Sequence, residues 1–224
     1  NSSLYYINMS SCIYNLGGSA FFQSNNKIGT KCSDITSSKN FKHIFNSIQI
    51  AIKKGFIYSG HDISSGGLIT CLLEMCFVSD GLGLNINLSA NMEDDIIKLL
   101  FSENHGIIFQ ADEKIENYLN SKNVLFQKIG KCEKSNHLKI FKNDFELNLD
   151  IKNYREIWFK KSYLFDKLQS GKNKAKERFN NIAKSPLNFK FPDWFKSKFN
   201  FKPNKKIKAA IIRDKGSNSE REMA

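Results

Sequence analysis

From residue 41 to residue 149 the apolar residues change their period again and again, and that alternation constrains the fold more than any single motif. Phe41, Ile44, Phe45, Ile48 and Ile52 recur at helical spacing, and Gly55 stops the run. FIYS (56–59) is a short apolar run of the kind that forms a buried strand, and it leads into His61 and Asp62. LITCLLEMCFV (68–78) is apolar nearly all round, which predicts a buried helix. GLNINL (83–88) alternates as a strand does. MEDDIIKLLF (92–101) predicts a helix whose acidic start suits the helix dipole. GIIFQA then predicts a strand, DEKIENYLN a helix, VLFQKIG a strand, and HLKIF with FELNL a hairpin around Lys142-Asn143. LYYIN (4–8) adds a strand at the front, followed by a turn at Gly17-Gly18. Such an order specifies an α/β or α+β domain, with helices packed against one sheet.

The texture changes near residue 150. NYREIWFKKSYLFDKLQ (153–169) predicts an aromatic-rich helix. Residues 171–205 are rich in Lys, Asn and Phe, with Pro186, Pro192 and Pro203 as breakers. Phe189, Phe191, Trp194, Phe195, Phe199 and Phe201 are too many aromatics for a free linker and are expected to pack on a neighbouring domain. IKAAIIR (207–213), the loop DKGSN and SEREMA then have the pattern of a strand, a turn and a helix start, which is how a new α/β domain opens. The chain begins at Asn1 rather than Met and stops at Ala224 inside that helix pattern, so an internal piece of a longer protein is expected.

The formal net charge is +12, but residues 1–150 carry a net −1 and residues 151–224 a net +13. A basic segment attracts nucleic acid, phosphorylated ligands or acidic partner domains. Of the 34 basic residues 30 are lysines, a bias typical of an AT-rich genome, and no nucleic-acid motif accompanies them. An RNA-binding module is the alternative from another functional class; the expectation here is no nucleic-acid partner. No apolar window approaches a membrane span, and no basic segment followed by an apolar run is visible at the start of the given sequence. Cys12, Cys32, Cys71, Cys76 and Cys132 form no CxxC pair and no zinc-like spacing with histidine, and their odd number fits a cytoplasmic protein.

GHDISSGGL (60–68) is the sharpest local feature. A strand delivers His61 and Asp62, and Ser64, Ser65, Gly66 and Gly67 lead into the buried helix. Helix-start amides and glycines suit phosphate, and a carboxylate such as Asp62 suits the Mg²⁺ that accompanies it. The same string can instead be a cap and a tight turn, with Asp62 and Ser64 satisfying the helix start. LGGSA (16–20) is a second glycine-rich turn, open to either reading. The helix bearing Arg155, Trp158 and Tyr163 could be an interface or a substrate-side face, and Ser217 and Asn218 could lie near a ligand.

GHDISSGGLITCLLEM (60–75), LFSENHGIIFQ (100–110), WFKKSYLFDKLQS (158–170), AKERF (175–179) and AAIIRDKGSNSEREMA (209–224), with LGGSA upstream, together resemble the large single-chain phosphoribosylformylglycinamidine synthases of purine (IMP) biosynthesis. The resemblance covers nearly the whole chain in order. It implies that residues 1–150 are the C-terminal domain of an aminoimidazole ribonucleotide synthetase-like fold, in the second synthase half. Residues 151–206 would join it to a glutamine amidotransferase domain beginning at 207–224. The implied ligase uses ATP, glutamine and water to turn formylglycinamide ribonucleotide into its amidine. The amide oxygen is phosphorylated, and ammonia from glutamine displaces phosphate. By the same resemblance Asp62 is a Mg²⁺ ligand and Ser64 contacts the ATP or ADP nucleotide, with Gly66 and Gly67 shaping the loop. That nucleotide is either catalytic or auxiliary. The common family form is HD-x-SDGGL, and Ser65 stands here in place of the second acid. No catalytic residue is assigned to this stretch. The amidotransferase thiol is expected elsewhere, since no cysteine follows residue 206. Partners would be the remainder of the same polypeptide and the two small substrates; an inactive fragment of a decayed gene is the alternative within the family.

Overall fold

In the computed structural model, residues 2–10, 13–78, 80–91 and 93–182 are described, with positions 184, 190, 192–194 and 210 beyond them. The chain divides into a unit over Asn1–Pro186 and a second over Leu187–Ala224. The expected strand at 207–213, its loop and the following helix lie outside the described residues, as do all the aromatics of 189–201 except Trp194.

Seven strands among the described residues form one sheet: β1 (Ser3–Asn8), β2 (Ile57–Asp62), β3 (Gly83–Asn87), β4 (Gly106–Ala111), β5 (Gln127–Glu133), β6 (His137–Lys142) and β7 (Phe145–Asp150). Their order is β2-β4-β1-β5-β3-β6-β7, and every neighbouring pair is antiparallel except β3 with β6. The helices among the described residues are α1 (Ala20–Ser24), α2 (Ser38–Lys53), α3 (Gly67–Cys76), α4 (Ile96–Phe101), α5 (Lys114–Ser121), α6 (Ile151–Gln169) and α7 (Lys172–Asn180).

β1 shows how the layers are set. Its side chains alternate between faces. Leu4 and Tyr6 join a core with Leu68, Leu72 and Cys76 of α3 and Leu99 and Leu100 of α4. Tyr5 and Ile7 join a second core with Ile44 and Ile48 of α2 and Ile115 and Leu119 of α5. Both faces of β1 are therefore covered, which is why LYYIN is an unbroken apolar run. At the other end of the sheet only one face meets a core among the described residues: Leu138 and Ile140 are buried and alternate with half-exposed residues. The expected helix-on-sheet arrangement is present, with helices on both faces of the sheet at β1.

Four expectations need adjusting. The strand expected to be buried at 56–59 lies at Ile57–Asp62 on the edge of the sheet, paired with β4 alone, and Tyr58, Ser59 and Gly60 are exposed. The helix expected over 92–101 starts only at Ile96, because Asp95 stays extended and its carboxylate accepts the amides of Ile97 and Lys98. The strand expected at 124–130 lies at Gln127–Glu133, since Val124 closes the turn after α5 with its amide on the Leu119 carbonyl. The stretch after residue 171 is helical before its prolines: α7 lies on α6, with Phe179 stacked on Tyr163 at 4.8 Å and Arg178 paired to Asp166 at 3.1 Å.

Candidate functional site

The ends of β1 and β2 and the start of β4 meet at one end of the sheet. Met9 donates its amide to the His105 carbonyl, and Ile63 donates to the carbonyl of Gly106. These contacts bring three loops together: the LGGSA turn, the HDISSGGL turn and the segment 102–105. A cleft of about 410 Å³ opens between them, with Gly17, Ser19, Asp62, Ser64, Glu103 and His105 on its walls.

Each turn depends on its glycines. A Cβ on Gly17 would stand 2.2 Å from the Lys31 carbonyl oxygen, whose partner is the Gly17 amide. Gly66 and Gly67 have φ of 90° and 74°, in the left-handed region that favours glycine. Gly66 is the N-cap of α3 and provides no side-chain cap. Neither Asp62 nor Ser64 caps the helix with its side chain; Ser64 accepts the Gly67 amide through its main-chain oxygen. The capping alternative for these two side chains is thereby removed. Ser19, by contrast, is a true cap, its hydroxyl accepting the Phe22 amide at the start of α1.

The loop amides divide into two groups. Gly66 donates to Glu103 Oε1 at 2.9 Å and Gly67 to Ser64 at 3.0 Å, so both glycine amides are satisfied within the chain. Among the described residues no acceptor takes the amides of Ser64 and Ser65. The Asp62 side chain is 81% exposed at the end of β2. His61 donates Nδ1–H to the Asp62 carbonyl at 2.7 Å, and its Nε2 lies 3.3 Å from Glu74 Oε2. His61 is thus bound into the strand end. Cys71 lies beneath, its thiol 3.8 Å from the His61 carbonyl; burial, aided by Glu74 and Asp62, pushes that thiol up to about 12, so it stays protonated.

Two carboxylates, Asp62 and Glu103, face the cleft, and its described lining holds no lysine or arginine. A bare phosphate meets two carboxylates and no lysine or arginine in that described lining, whereas a phosphate that brings its own divalent cation is compensated. No group of three or more metal-ligating side chains occurs among the described residues. Mg²⁺ is commonly held by one or two carboxylates together with substrate phosphates, and this donor set fits that mode.

Segment 102–105 carries roles that were not assigned from the sequence. Glu103 accepts two loop amides, those of Gly66 and Ala20. Buried Asn104 takes the Ser33 hydroxyl at 2.7 Å, and His105 faces Ser10. The signal was an acid, an amide and an imidazole just before a strand. On the far side, Arg155 is only 3% exposed and pairs with Asp80, Trp158 lies against Phe77, and Tyr163 stacks on Phe179; these are packing contacts. Ser217 and Asn218 lie outside the described residues.

Residues 9–143 match the family described as AIR synthase related protein, C-terminal domain, and the chain belongs to that family. Within it, the chain is similar to particular large enzymes. It is 30% identical over 226 residues to a probable phosphoribosylformylglycinamidine synthase, chloroplastic/mitochondrial, of Arabidopsis thaliana, covering 93% of this chain and 15% of that protein. It is 29% identical to the phosphoribosylformylglycinamidine synthase of Dictyostelium discoideum, covering 100% of this chain and 19% of that one. The human enzyme of that name is 27% identical, over 99% of this chain and 17% of the relative. The chain therefore spans less than a fifth of the length of these relatives. The fold is shared with Thermotoga maritima PurL complexed with FGAR (TM-score 0.53, 14% identity, 69% of this chain and 28% of that one). The same protein complexed with ATP gives a TM-score of 0.51 at 11% identity, over 67% and 25%.

Proposed function

We propose that the chain forms part of a phosphoribosylformylglycinamidine synthase, the ATP- and glutamine-dependent ligase that makes formylglycinamidine ribonucleotide in purine biosynthesis. Its contribution is a Mg²⁺-nucleotide site in the cleft between the two glycine turns. The observation that carries this reading is the state of the HDISSGGL loop: Asp62 is exposed and caps nothing, and the Ser64 and Ser65 amides have no acceptor among the described residues. Asp62 would hold the metal, and Ser64 would meet the nucleotide with its hydroxyl and amide. Gly66 and Gly67 would serve by shape, since their amides are already used. Bound Mg²⁺ would neutralise phosphate charge and allow an anion to sit beside two carboxylates.

On this reading residues 1–150 are the synthetase-like C-terminal domain, 151–206 the connection, and 207–224 the start of a glutamine amidotransferase domain. The partners are the rest of the polypeptide, formylglycinamide ribonucleotide and glutamine. Relatives named for this activity align with nearly all of the chain. No helix among the described residues is long and apolar enough to cross a membrane, and the free thiols Cys32, Cys71, Cys76 and Cys132 suit a reducing, cytoplasmic setting.

Calorimetric titration of ADP with Mg²⁺ into full-length protein tests the site. Asp62→Asn keeps the size and removes the charge, and should weaken binding and its magnesium dependence while the melt is unchanged. Equal affinity and equal magnesium dependence in both proteins would remove Asp62 from the site.

A further inference from the structure

We propose that Glu103 is the positioning residue of this cleft: its carboxylate clasps the two glycine turns so that Asp62 and Ser64 meet the nucleotide in one geometry. The proposal rests on the nucleotide-site reading above.

A single oxygen, Glu103 Oε1, accepts the Ala20 amide at 2.8 Å and the Gly66 amide at 2.9 Å. The donors are 83 and 37 residues away in sequence and belong to different turns on the cleft wall. Hydrogen bonds from peptide amides to a carboxylate are charge-assisted and stronger than neutral ones. No lysine or arginine forms an ion pair with Glu103 among the described residues. Its charge is met there by backbone amides.

The segment that carries this side chain is firmly mounted. The carbonyls of Leu100 and Ser102 press on the space where a Gly67 Cβ would stand. Asn104 is 1% exposed and ties residues 13 and 33 to the segment. The His105 carbonyl accepts the Met9 amide at the end of β1. The LGGSA turn, in contrast, precedes a helix of five residues, none of them buried. Without the clasp, nothing else among the described hydrogen bonds joins that turn to the HDISSGGL turn.

The test compares Glu103→Ala and Glu103→Gln in the full-length protein, with two readouts. Amide hydrogen exchange is followed at Ala20 and Gly66 without nucleotide, and ADP with Mg²⁺ is titrated calorimetrically. The alanine variant should speed exchange at both turns together and weaken ADP on the order of tenfold, the scale of one hydrogen bond to a charged group. The glutamine variant keeps an acceptor oxygen and should restore most of both. Unchanged exchange at either turn overturns the clasp. Faster exchange at both turns with unchanged affinity overturns its role in positioning. A glutamine variant as weak as alanine, with an altered magnesium dependence, would make Glu103 a charge acting on the metal and overturn positioning as well. Asp62→Asn is run in parallel. If it binds ADP with the affinity and magnesium dependence of the wild type, Asp62 leaves the site and the positioning role proposed for Glu103 falls with it, whereas the exchange measurement still decides whether Glu103 joins the turns.

Discussion

The carbonyl oxygen of Leu100 lies 2.7 Å from the point where a Cβ on Gly67 would stand. The Ser102 carbonyl oxygen is equally near, and Gly67 has φ of 74°. The start of α3 and the end of α4 are therefore in backbone contact next to the residues that line the cleft. Gly67→Ala meets two obstacles at once, a left-handed backbone and a pair of carbonyls that cannot rotate away. It should destabilise the protein by roughly 2–4 kcal/mol, combining backbone strain with overpacking. Urea unfolding checks this; an unchanged midpoint would mean that the two helix ends separate freely.

Phe179 supports α7 through its stack on Tyr163. The nearby Arg178–Asp166 pair is largely exposed on the arginine side and contributes little. Phe179→Ala should therefore release α7, with faster hydrogen exchange across Lys172–Asn180, at a cost of about 1 kcal/mol for the aromatic pair beyond area burial. Arg178→Ala should leave exchange there nearly unchanged. The reverse order of effects would place the anchor in the ion pair.

The Cys71 thiol is raised to about 12 by burial first and by Glu74 and Asp62 next. Its folded value exceeds its unfolded value of 9.0, so the neutral thiol is favoured in the fold. This contribution is fully present below pH 9 and is lost as pH rises towards 12. Stability of wild type relative to Cys71→Ala should accordingly decline across that window. Alkylation at neutral pH should modify exposed Cys32 and spare Cys71. Rapid alkylation of Cys71 in the folded protein would contradict its protonated, buried state.

What could be read in advance depended on whether one segment contained its own reason. α3 is apolar on nearly every side, so its burial was visible before its neighbours were known. β6 and β7 alternate and are joined at Asn143, whose φ of 50° asparagine tolerates well. α7 has a low apolar content and a single buried residue, so it exists through its contact with α6 and left no periodic trace. At the site, the carboxylate, serine and glycines of the HDISSGGL loop are consecutive in the sequence, so the metal and nucleotide roles proposed for them rest on residues visible in one string. The clasp at Glu103 joins amides of residues 20 and 66, and backbone amides look alike in any sequence. Only the three-dimensional meeting of the turns brings it out.

Ser65 offers the sharpest test of charge in the cleft. It stands on the loop between Ser64 and Gly66, where the resembled family commonly carries an acid. Asp62 and Glu103 already face the cleft without a lysine or arginine in its described lining. A third carboxylate should therefore repel phosphate when magnesium is absent and hold the metal more tightly when it is present. Ser65→Asp is expected to strengthen ADP binding with Mg²⁺ by about 1 kcal/mol, the scale of one charge pair at about 4 Å in a solvated site. With a chelator present, the same substitution should weaken binding below that of the wild type. The fold should tolerate it, because Ser65 is exposed and its side chain makes no hydrogen bond among the described residues. Calorimetry with and without magnesium reads both arms. A change of the same sign in both would mean that position 65 acts on the nucleotide through shape rather than through the metal.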